Sequence, residues 1–234
     1  MKLNRQIEDM LKGMGADLVG FADVDGLAPD GYKRAVAAAI ALPPEIIVDI
    51  PQGPTREYVE VYMDINRRLD EMAEAVSDML KKTGNRSLAQ TQKSTPWDRE
   101  RMSTPFPHKT AATRAGLGWI GKCALLVTPE FGSGIRITSI LTDADFDTAE
   151  PVTRSHCGSC GKCVDICPGK AIRGELWYAG IERAKLVDIP KCDRAARDIA
   201  EKKLGYRTTM CGRCFAVCPY TQAYINRANT YSLK

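Results

Sequence analysis

Eight of the nine cysteines in this 234-residue sequence fall between positions 157 and 218, in short groups with the spacing of metal ligands. The first group is a complete C-x2-C-x2-C-x3-C-P run that ends at Pro168. In such a run the three closely spaced thiolates bind one iron–sulfur cubane, and the fourth thiolate binds a second one. The run therefore predicts two [4Fe–4S] clusters.

The second group, Cys211-Gly-Arg-Cys214-Phe-Ala-Val-Cys218-Pro219, has the same x3-C-P ending but lacks one thiol of the triple. Cys192, the nearest cysteine upstream, is the obvious replacement. The crossing of the last cysteine of each run to the other cluster then assigns the ligands. Cluster one takes Cys157, Cys160, Cys163 and Cys218, and cluster two takes Cys167, Cys192, Cys211 and Cys214.

A pair of zinc sites would also use eight cysteines. Zinc motifs do not require the x3-C-P ending, which occurs twice here, so the spacing favours iron–sulfur clusters. Residues 1–8 contain no apolar signal-peptide core, which predicts a cytoplasmic protein. Because thiols stay reduced in the cytoplasm, grouped cysteines there indicate metal and not disulfides. We expect an anaerobic or reducing cytoplasm and no membrane association.

Charge is distributed unevenly along the sequence. Residues 151–234 hold 15 Lys+Arg and 7 Asp+Glu, a balance of +8, whereas residues 1–150 hold 18 and 22, a balance of −4, and the two sum to the net charge of +4. A basic, cysteine-bearing end favours an acidic partner such as an electron donor, or RNA. A solvated surface without a partner explains the same pattern.

Periodicity and turn residues predict the elements that position these groups. We expect a helix over 3–14, a strand over 17–24, a strand or short helix over 34–42, a long helix within 55–83, a long ordered loop over 93–108, and a hairpin of strands 123–128 and 135–141. A domain boundary is expected near residue 150, which divides the sequence into 1–150 and 151–234.

The segment Ala115-Gly-Leu-Gly-Trp-Ile-Gly-Lys122, together with the later Leu125-Leu126, Pro129-Glu130 and Ile140-Leu141-Thr142-Asp143, resembles epoxyqueuosine reductase. The double set of cysteines, including the isolated one, matches that family as well, and the reductive dehalogenases are more distantly similar. The resemblance implies an α+β protein, in which a nitroreductase-like α/β domain binding base-off cobalamin precedes a ferredoxin-like double [4Fe–4S] domain. The corrinoid would lie against Gly116, Leu117, Gly118, Trp119, Ile120, Gly121, Lys122 and Cys123.

The sequence departs from the family at positions that bear on the chemistry. Met102 stands where the family has a catalytic aspartate, and Cys123 stands where it has an asparagine. A thioether cannot supply a proton, so another acid is needed if the protein is catalytic. The local candidates are Asp98, Glu100 and His108, of which a histidine is best matched to neutral pH. Cys123 itself is either a small buried hydrophobe or a thiol that lines a cofactor pocket.

The leading hypothesis is an iron–sulfur oxidoreductase of epoxyqueuosine-reductase type, in which a low-potential donor such as ferredoxin or flavodoxin supplies electrons through the two clusters to a corrinoid. The substrate is left open, and tRNA is the less favoured partner because the aspartate is missing. Two alternatives remain: a non-catalytic electron-transfer module that serves a partner enzyme, and a flavin-containing reductase, the latter by analogy of fold alone.

Overall fold

The computed structural model describes residues 2–232, and their fold mixes helices with sheet, as predicted. The helices are α1 (Lys2–Gly13), α2 (Pro44–Ile47), α3 (Arg56–Lys82), α4 (His108–Arg114), α5 (Lys162–Asp165), α6 (Arg183–Leu186), α7 (Ile189–Leu204), α8 (Arg213–Ala216) and α9 (Pro219–Ser232). The strands are β1 (Leu18–Asp23), β2 (Arg34–Ala41), β3 (Ser87–Gln90), β4 (Trp119–Ile120), β5 (Leu126–Val127) and β6 (Ile135–Thr142). Among these residues no helix is both long and apolar enough to cross a bilayer.

The described residues form two compact units, and each unit is assembled from separated stretches of chain. We call residues 2–40, 64–118 and 136–152 the sheet unit, and residues 41–63, 119–135 and 153–232 the cysteine unit. A single boundary near residue 150 does not describe this division, because 41–63 and 119–135 group with the cysteines. The predicted domains 1–150 and 151–234 stay a prediction.

The sheet unit is built around a four-stranded sheet of order β1-β2-β6-β3. Strands β1 and β2 pair antiparallel, from Leu18 opposite Ala39 to Asp23 opposite Arg34, and β3 pairs antiparallel with β6. The apolar run 34–42, for which both strand and helix were open, is a strand. Residues 35–40 are all buried in the interior of the sheet, which explains why the run is apolar without alternation.

Helices α1 and α3 confirm the predicted amphipathic segments. In α1 the buried residues are Ile7 and Leu11, four positions apart on one face. In the part of α3 that belongs to the sheet unit, the buried stripe is Ile65, Leu69, Met72, Ala73 and Val76. This spacing is that of a helix with one face in the core. Gly84 follows α3 with a φ of +88°, a conformation that a glycine accommodates without strain.

The predicted hairpin of 123–128 and 135–141 is wrong. Strand β5 pairs instead with β4, with Trp119 opposite Val127 and Ile120 opposite Leu126. Strand β6 lies between β2 and β3 in the four-stranded sheet. The physical reason is burial: residues 138–142 of β6 are all buried, and such a strand is satisfied by two neighbouring strands, which a hairpin partner alone does not provide.

The cysteine unit is held together by contacts between its three stretches. Gly212, at a φ of +79°, leaves no room for a side chain, because an added Cβ would lie 2.6 Å from Ile50 Cγ2. Arg213 Nε donates to Pro51 O at 2.8 Å, and the rings of Tyr58 and Phe215 lie 5.9 Å apart. Residues 50–58 therefore pack directly on the loop and helix that carry the last cysteines.

Stretch 119–135 is attached to α9 in the same way. Ser133 N donates to Thr221 Oγ1 at 3.0 Å, and the ring of Trp119 packs edge-on against Tyr220 with centroids 4.9 Å apart. Gly132 lies so close to the backbone of Thr221 that no side chain fits there. Short-range packing of this kind fixes the β4–β5 turn beside the cysteines.

Candidate iron–sulfur site

The first cysteine run winds through a turn and then into a short helix. Cys160 N donates to Cys157 O at 3.2 Å, Cys163 lies in α5, and Cys167 follows the end of that helix. Gly158 has a φ of +53°, and a side chain there would meet nothing within 4 Å. Ala171 N donates to Cys167 Sγ at 3.3 Å. Backbone N–H groups directed at ligand sulfur are a usual feature of iron–sulfur sites.

The second set of cysteines is presented by α7 and α8. Asp188 caps α7 by accepting from Lys191 N at 3.1 Å, and this places Cys192 in the first turn of the helix. Gly212 separates Cys211 from Cys214, which lies in α8. Cys192 is exposed, whereas the other eight cysteines are half-buried.

Gly169 brings the first run against α7. An added Cβ at Gly169 would lie 2.8 Å from Ala195 Cβ and 2.9 Å from Lys191 O, so only glycine fits there. Cys167, two residues earlier, is thereby placed beside the helix that carries Cys192. Gly169 was not predicted from the sequence, although its position directly after Cys167-Pro168 is a signal for it.

Six of the eight thiols outside Cys123 fall into two groups by their mutual electrostatic effects. Burial and then the neighbouring thiolate charges of Cys167 and Cys211 raise the pKa of Cys192. Burial also raises the pKa of Cys211, and the charge of Cys167 adds to that effect. One group therefore contains Cys167, Cys192 and Cys211.

The other group surrounds Cys218. Burial raises the pKa of Cys218, backbone hydrogen bonds at Thr221 and Tyr220 oppose the rise, and the charges of Cys157 and Cys163 add to it. Each group contains three cysteines of one predicted ligand set, and the assignment of all eight ligands stays a prediction. Each thiolate is disfavoured by its neighbours in the absence of a cation, and a cationic centre between them removes that repulsion, since coordinated thiols are deprotonated outright. Eight thiols in two runs are, by their chemistry, the donor set of thiolate-bound iron.

The β4–β5 turn lies against the first cysteine run. Lys122 is buried, and its Nζ donates to Cys160 O at 2.9 Å. A Cβ added to Gly121 would lie 3.6 Å from Cys123 Sγ and from Cys157 Sγ, and 2.8 Å from Val127 Cγ2. The absence of a side chain at Gly121 therefore lets the turn approach the cysteines closely.

Cys123 lies near thiols of both runs, since Cys163 and Cys214 both act on its pKa. Cys163 lowers the pKa of Cys123, whereas Cys214 and burial raise it, so that the net pKa is well above the ordinary value. The family resemblance implied a corrinoid-lining thiol here and the residue type a small buried hydrophobe, and neither indicated that Cys123 lies near the grouped cysteines.

The rest of the glycine-rich stretch belongs to the sheet unit. Gly116 has a φ of +72°, and an added Cβ would lie 3.2 Å from Glu150 O and 3.4 Å from Ala149 Cβ. Leu117 is half-buried and Gly118 is buried. The backbone conformation and the close packing at position 116 thus both require a glycine.

The candidate acids also belong to the sheet unit, and each has a specific environment. Asp98 is exposed and accepts from the backbone N–H groups of Glu100 and Arg101, both at 2.9 Å, so its carboxylate shapes the loop. Glu100 is exposed. His108 begins α4, and its Nδ1 lies 2.9 Å from Ser139 Oγ.

The expectation that His108 is matched to neutral pH is wrong. Burial, with the charge of Arg136 as a second cause, lowers its pKa to about 4. Its imidazole is therefore neutral near pH 7, and the protonated form that an acid catalyst needs is scarce there. The other histidine, His156, packs on Trp119, with ring centroids 4.8 Å apart.

Comparison with known proteins first defines the class. Residues 156–221, which include all eight grouped cysteines, match the family model described as a 4Fe-4S double cluster binding domain. The predicted double-cluster domain in the C-terminal part of the chain is thereby confirmed.

Individual relatives then narrow the class. The chain is 35% identical over 162 residues to an epoxyqueuosine reductase from Synechococcus sp. (strain CC9605), a match that covers 66% of this chain and 47% of that protein. The chain thus spans about half the length of this curated relative. The predicted resemblance is confirmed: this is an epoxyqueuosine reductase-like double-cluster iron–sulfur protein.

Solved structures share its fold. A catabolic reductive dehalogenase in complex with 3-bromo-4-hydroxybenzoic acid superposes with a TM-score of 0.73 at 19% identity, covering 97% of this chain and 33% of that chain. An epoxyqueuosine reductase with an epoxyqueuosine-modified tRNA-Tyr stem loop superposes with a TM-score of 0.62 at 21% identity, covering 95% and 66%.

Proposed function

We propose that this protein is an iron–sulfur oxidoreductase of epoxyqueuosine-reductase type, which delivers electrons one at a time through two [4Fe–4S] clusters. The observation that carries the proposal is the division of the thiols into two groups within the double-cluster domain. Cluster one is held by Cys157, Cys160, Cys163 and Cys218, and cluster two by Cys167, Cys192, Cys211 and Cys214.

The protein's own groups have defined tasks at these clusters. Thiolates bind the iron, the N–H of Ala171 donates to Cys167 Sγ, and the buried ammonium of Lys122 places a positive charge beside the first run. Hydrogen bonds and positive charge near a cluster favour its reduced form, which carries one more negative charge. Cys192, exposed on α7, puts cluster two nearer to solvent and makes it the entry point for electrons from a low-potential donor such as ferredoxin or flavodoxin.

A corrinoid is the proposed acceptor of these electrons, through the segment 116–123. Support comes from the family resemblance and from a neighbour whose structure is described as suggesting a mechanism for B12-dependent dehalogenation. When bound, a corrinoid supplies a low-potential metal centre for reductive bond cleavage. Close packing also favours glycine at positions 116 and 121, whether or not a corrinoid is bound.

The substrate to test first is epoxyqueuosine in tRNA, because curated relatives carry that activity in their names and a structural neighbour is described with a modified stem loop. The missing aspartate had made tRNA the less favoured partner, and the names of the relatives reverse that preference. Reduction of an epoxide to an alkene consumes two electrons and two protons and releases water. Two clusters that each carry one electron can supply the two electrons that this reduction consumes.

A groove of about 540 Å³ in the cysteine unit supports RNA as a partner. Its lining includes Arg154, Trp177 and Tyr178, and Tyr178 is 55% exposed. Aromatic faces and guanidinium planes are the surfaces on which unpaired bases stack. The groove is therefore the proposed contact for unstacked nucleotides of a tRNA loop.

A second candidate function, electron delivery to a partner enzyme, is favoured by the environment of the candidate acids. Asp98 and Glu100 are exposed, and His108 is neutral near pH 7. None of the three is thus set up as a buried proton donor at neutral pH.

One experiment separates the two candidates. Anaerobically purified protein is analysed for iron and acid-labile sulfide, and is then supplied with cobalamin, a low-potential reductant and epoxyqueuosine-containing tRNA. We expect about eight iron and eight sulfide per chain, and multiple-turnover formation of queuosine by mass spectrometry. Full clusters without queuosine support the electron-transfer function, whereas stoichiometric zinc with little sulfide contradicts both. Tyr178→Ala, with the exposed Tyr206→Ala as matched control, tests the RNA groove.

A further inference from the structure

Strand β4 and the turn that follows it carry two buried donors that the described residues do not fully satisfy. Trp119 is 4% exposed, and its indole Nε1 has no hydrogen-bond acceptor within residues 2–232. Lys122 is 8% exposed, its Nζ donates to the carbonyl oxygen of Cys160 at 2.9 Å, and no carboxylate of the described residues forms a salt bridge with it. Buried N–H groups without acceptors and buried charges without counter-charges are costly. Both side chains therefore indicate a negatively charged partner outside the polypeptide.

The indole of Trp119 lies beside two cysteines assigned to cluster one. Its ring packs on His156 with centroids 4.8 Å apart, and His156 directly precedes Cys157. The opposite contact is with Tyr220, at 4.9 Å between centroids, two residues after Cys218. The unsatisfied N–H is therefore held in the neighbourhood of cluster one.

The turn itself is pressed against the first cysteine run. A Cβ added to Gly121 would lie 3.6 Å from Cys157 Sγ, and the bond from Lys122 ties the turn to Cys160. Ala124 N donates to Gly121 O at 2.8 Å, and Ala124 has a φ of +59°. This left-handed conformation is strained for a residue with a side chain, and the surrounding contacts maintain it. The two donors are thus carried on a backbone of fixed geometry.

The chemistry follows from the ligand assignment. A cubane bound by four thiolates carries net negative charge, and its sulfurs accept hydrogen bonds. An N–H bond to sulfur or a nearby positive charge stabilises the reduced state, in which that negative charge is larger by one. A buried ammonium is effective because little water screens it, whereas the charge of the exposed Lys162, on the same run, is largely screened.

We propose that Trp119 and Lys122 are positioning residues that set the reduction potential of cluster one, Trp119 as a hydrogen-bond donor to a cluster sulfur through Nε1 and Lys122 as a buried counter-charge. This inference rests on the proposed function, which supplies the two clusters and their ligands. An electron that enters at cluster two, beside the exposed Cys192, is then transferred to cluster one, so that the former is oxidised as the latter is reduced.

The test uses the full chain with both clusters loaded, in the variants Trp119→Phe, Lys122→Met and Lys122→Arg. Midpoint potentials are measured by redox titration followed by electron paramagnetic resonance. In Trp119→Phe and in Lys122→Met we expect the reduced-to-oxidised ratio of one cluster to fall about tenfold at a fixed ambient potential, which is 59 mV for one electron. The other cluster should keep its potential, and Lys122→Arg should restore most of the ratio.

Matched controls remove the same side chains from exposed positions. Trp97 is 57% exposed and Lys162 is exposed, so Trp97→Phe and Lys162→Met should leave both potentials close to those of the wild type. A second readout follows the indole proton. After cluster reconstitution in deuterium oxide, electron–nuclear double resonance of the reduced protein should show a coupled deuteron that Trp119→Phe loses and Trp97→Phe retains.

Unchanged potentials in Trp119→Phe and Lys122→Met, with both clusters retained, would overturn the proposal, as would equal shifts in the controls. If Trp119→Phe loses iron, the deuteron signal of the wild type decides, and its absence removes the donor role. If Lys122→Met loses iron, Lys122→Gln, which keeps a hydrogen-bond donor without the charge, takes its place. None of these results affects the proposed reductase function, because that function is judged by the iron and sulfide of the wild type and by the queuosine assay.

Discussion

Replacement of Gly212 by alanine tests whether residues 41–63 are a structural part of the cluster domain. Gly212 has a φ of +79°, and the added Cβ would lie 2.6 Å from Ile50 Cγ2 and 2.9 Å from Phe215 Cε1. A left-handed conformation costs a non-glycine residue about 1–2 kcal/mol, and overpacking of a filled core costs about 1–3 kcal/mol. The two contributions together predict that Gly212→Ala lowers the free energy of unfolding by about 2–5 kcal/mol.

Gly205→Ala is the matched control. Gly205 ends α7 with a φ of +85°, and an added Cβ there meets nothing within 4 Å. Only the conformational cost applies there. Gly205→Ala should therefore lower the free energy of unfolding by about 1–3 kcal/mol less than Gly212→Ala does. With a urea dependence of roughly 2 kcal/mol per molar, the two unfolding midpoints should differ by about 0.5–1.5 M.

The assay is anaerobic urea titration of the cluster-loaded protein, followed both by circular dichroism and by the visible absorbance of the clusters. Since Gly212 separates two proposed ligands of cluster two, Gly212→Ala should also bleach earlier than Gly205→Ala. Equal midpoints for the two variants would refute the packing between Ile50 and the 211–214 loop, and with it the inclusion of 41–63 in the cysteine unit.

Other outcomes follow from the same structure. Cys192→Ser should lower iron from about eight to about four per chain while the spectrum of cluster one persists, and full iron in that variant would remove Cys192 from the ligand set. Because the folded protein keeps His108 neutral down to about pH 4, the unfolded chain takes up that proton first as the pH falls, so stability should decline between about pH 6.5 and 4, by at most roughly 3 kcal/mol; His108→Gln should flatten that decline in urea titrations across the range. Arg194→Glu, an exposed change beside Cys192, should slow cluster reduction by an acidic flavodoxin several-fold at low salt and leave reduction by dithionite unchanged; equal rates would place electron entry elsewhere. Gly118→Leu should abolish binding of base-off cobalamin in a spectroscopic titration, and wild-type affinity in that variant would argue against the 116–123 segment as the corrinoid site.

Local sequence patterns predicted the elements whose buried face can be recognised within a single segment of the chain. The faces of α1 and α3 follow from apolar residues three and four positions apart, and β1 follows from its position before a turn. The double-cluster domain was likewise predicted from spacing, because cubane chemistry restricts how far apart consecutive ligands lie in sequence.

The parts that the sequence analysis missed depend on distant segments. Whether 135–142 pairs with its sequence neighbour or enters the sheet between β2 and β3 depends on residues about a hundred and about fifty positions away. Cys123 reads as an isolated thiol in a glycine-rich stretch until the turn is placed beside Cys163 and Cys214. The lowered pKa of His108 likewise arises from burial and from Arg136, neither of which is visible in the loop sequence.

The cysteine unit joins residues 41–63, 119–135 and 153–232, and this has a consequence for how the protein is made. A ribosome synthesises Ile50 more than 150 residues before the Gly212 loop that packs on it, and Gly132 almost 90 residues before Thr221. The early segments therefore keep these contacts unmade until residues 211–221 have been synthesised. The scaffold around the cysteines consequently forms only after residue 221 has been added, and a fragment that begins at residue 153 would present the same cysteines without the scaffold that seats them.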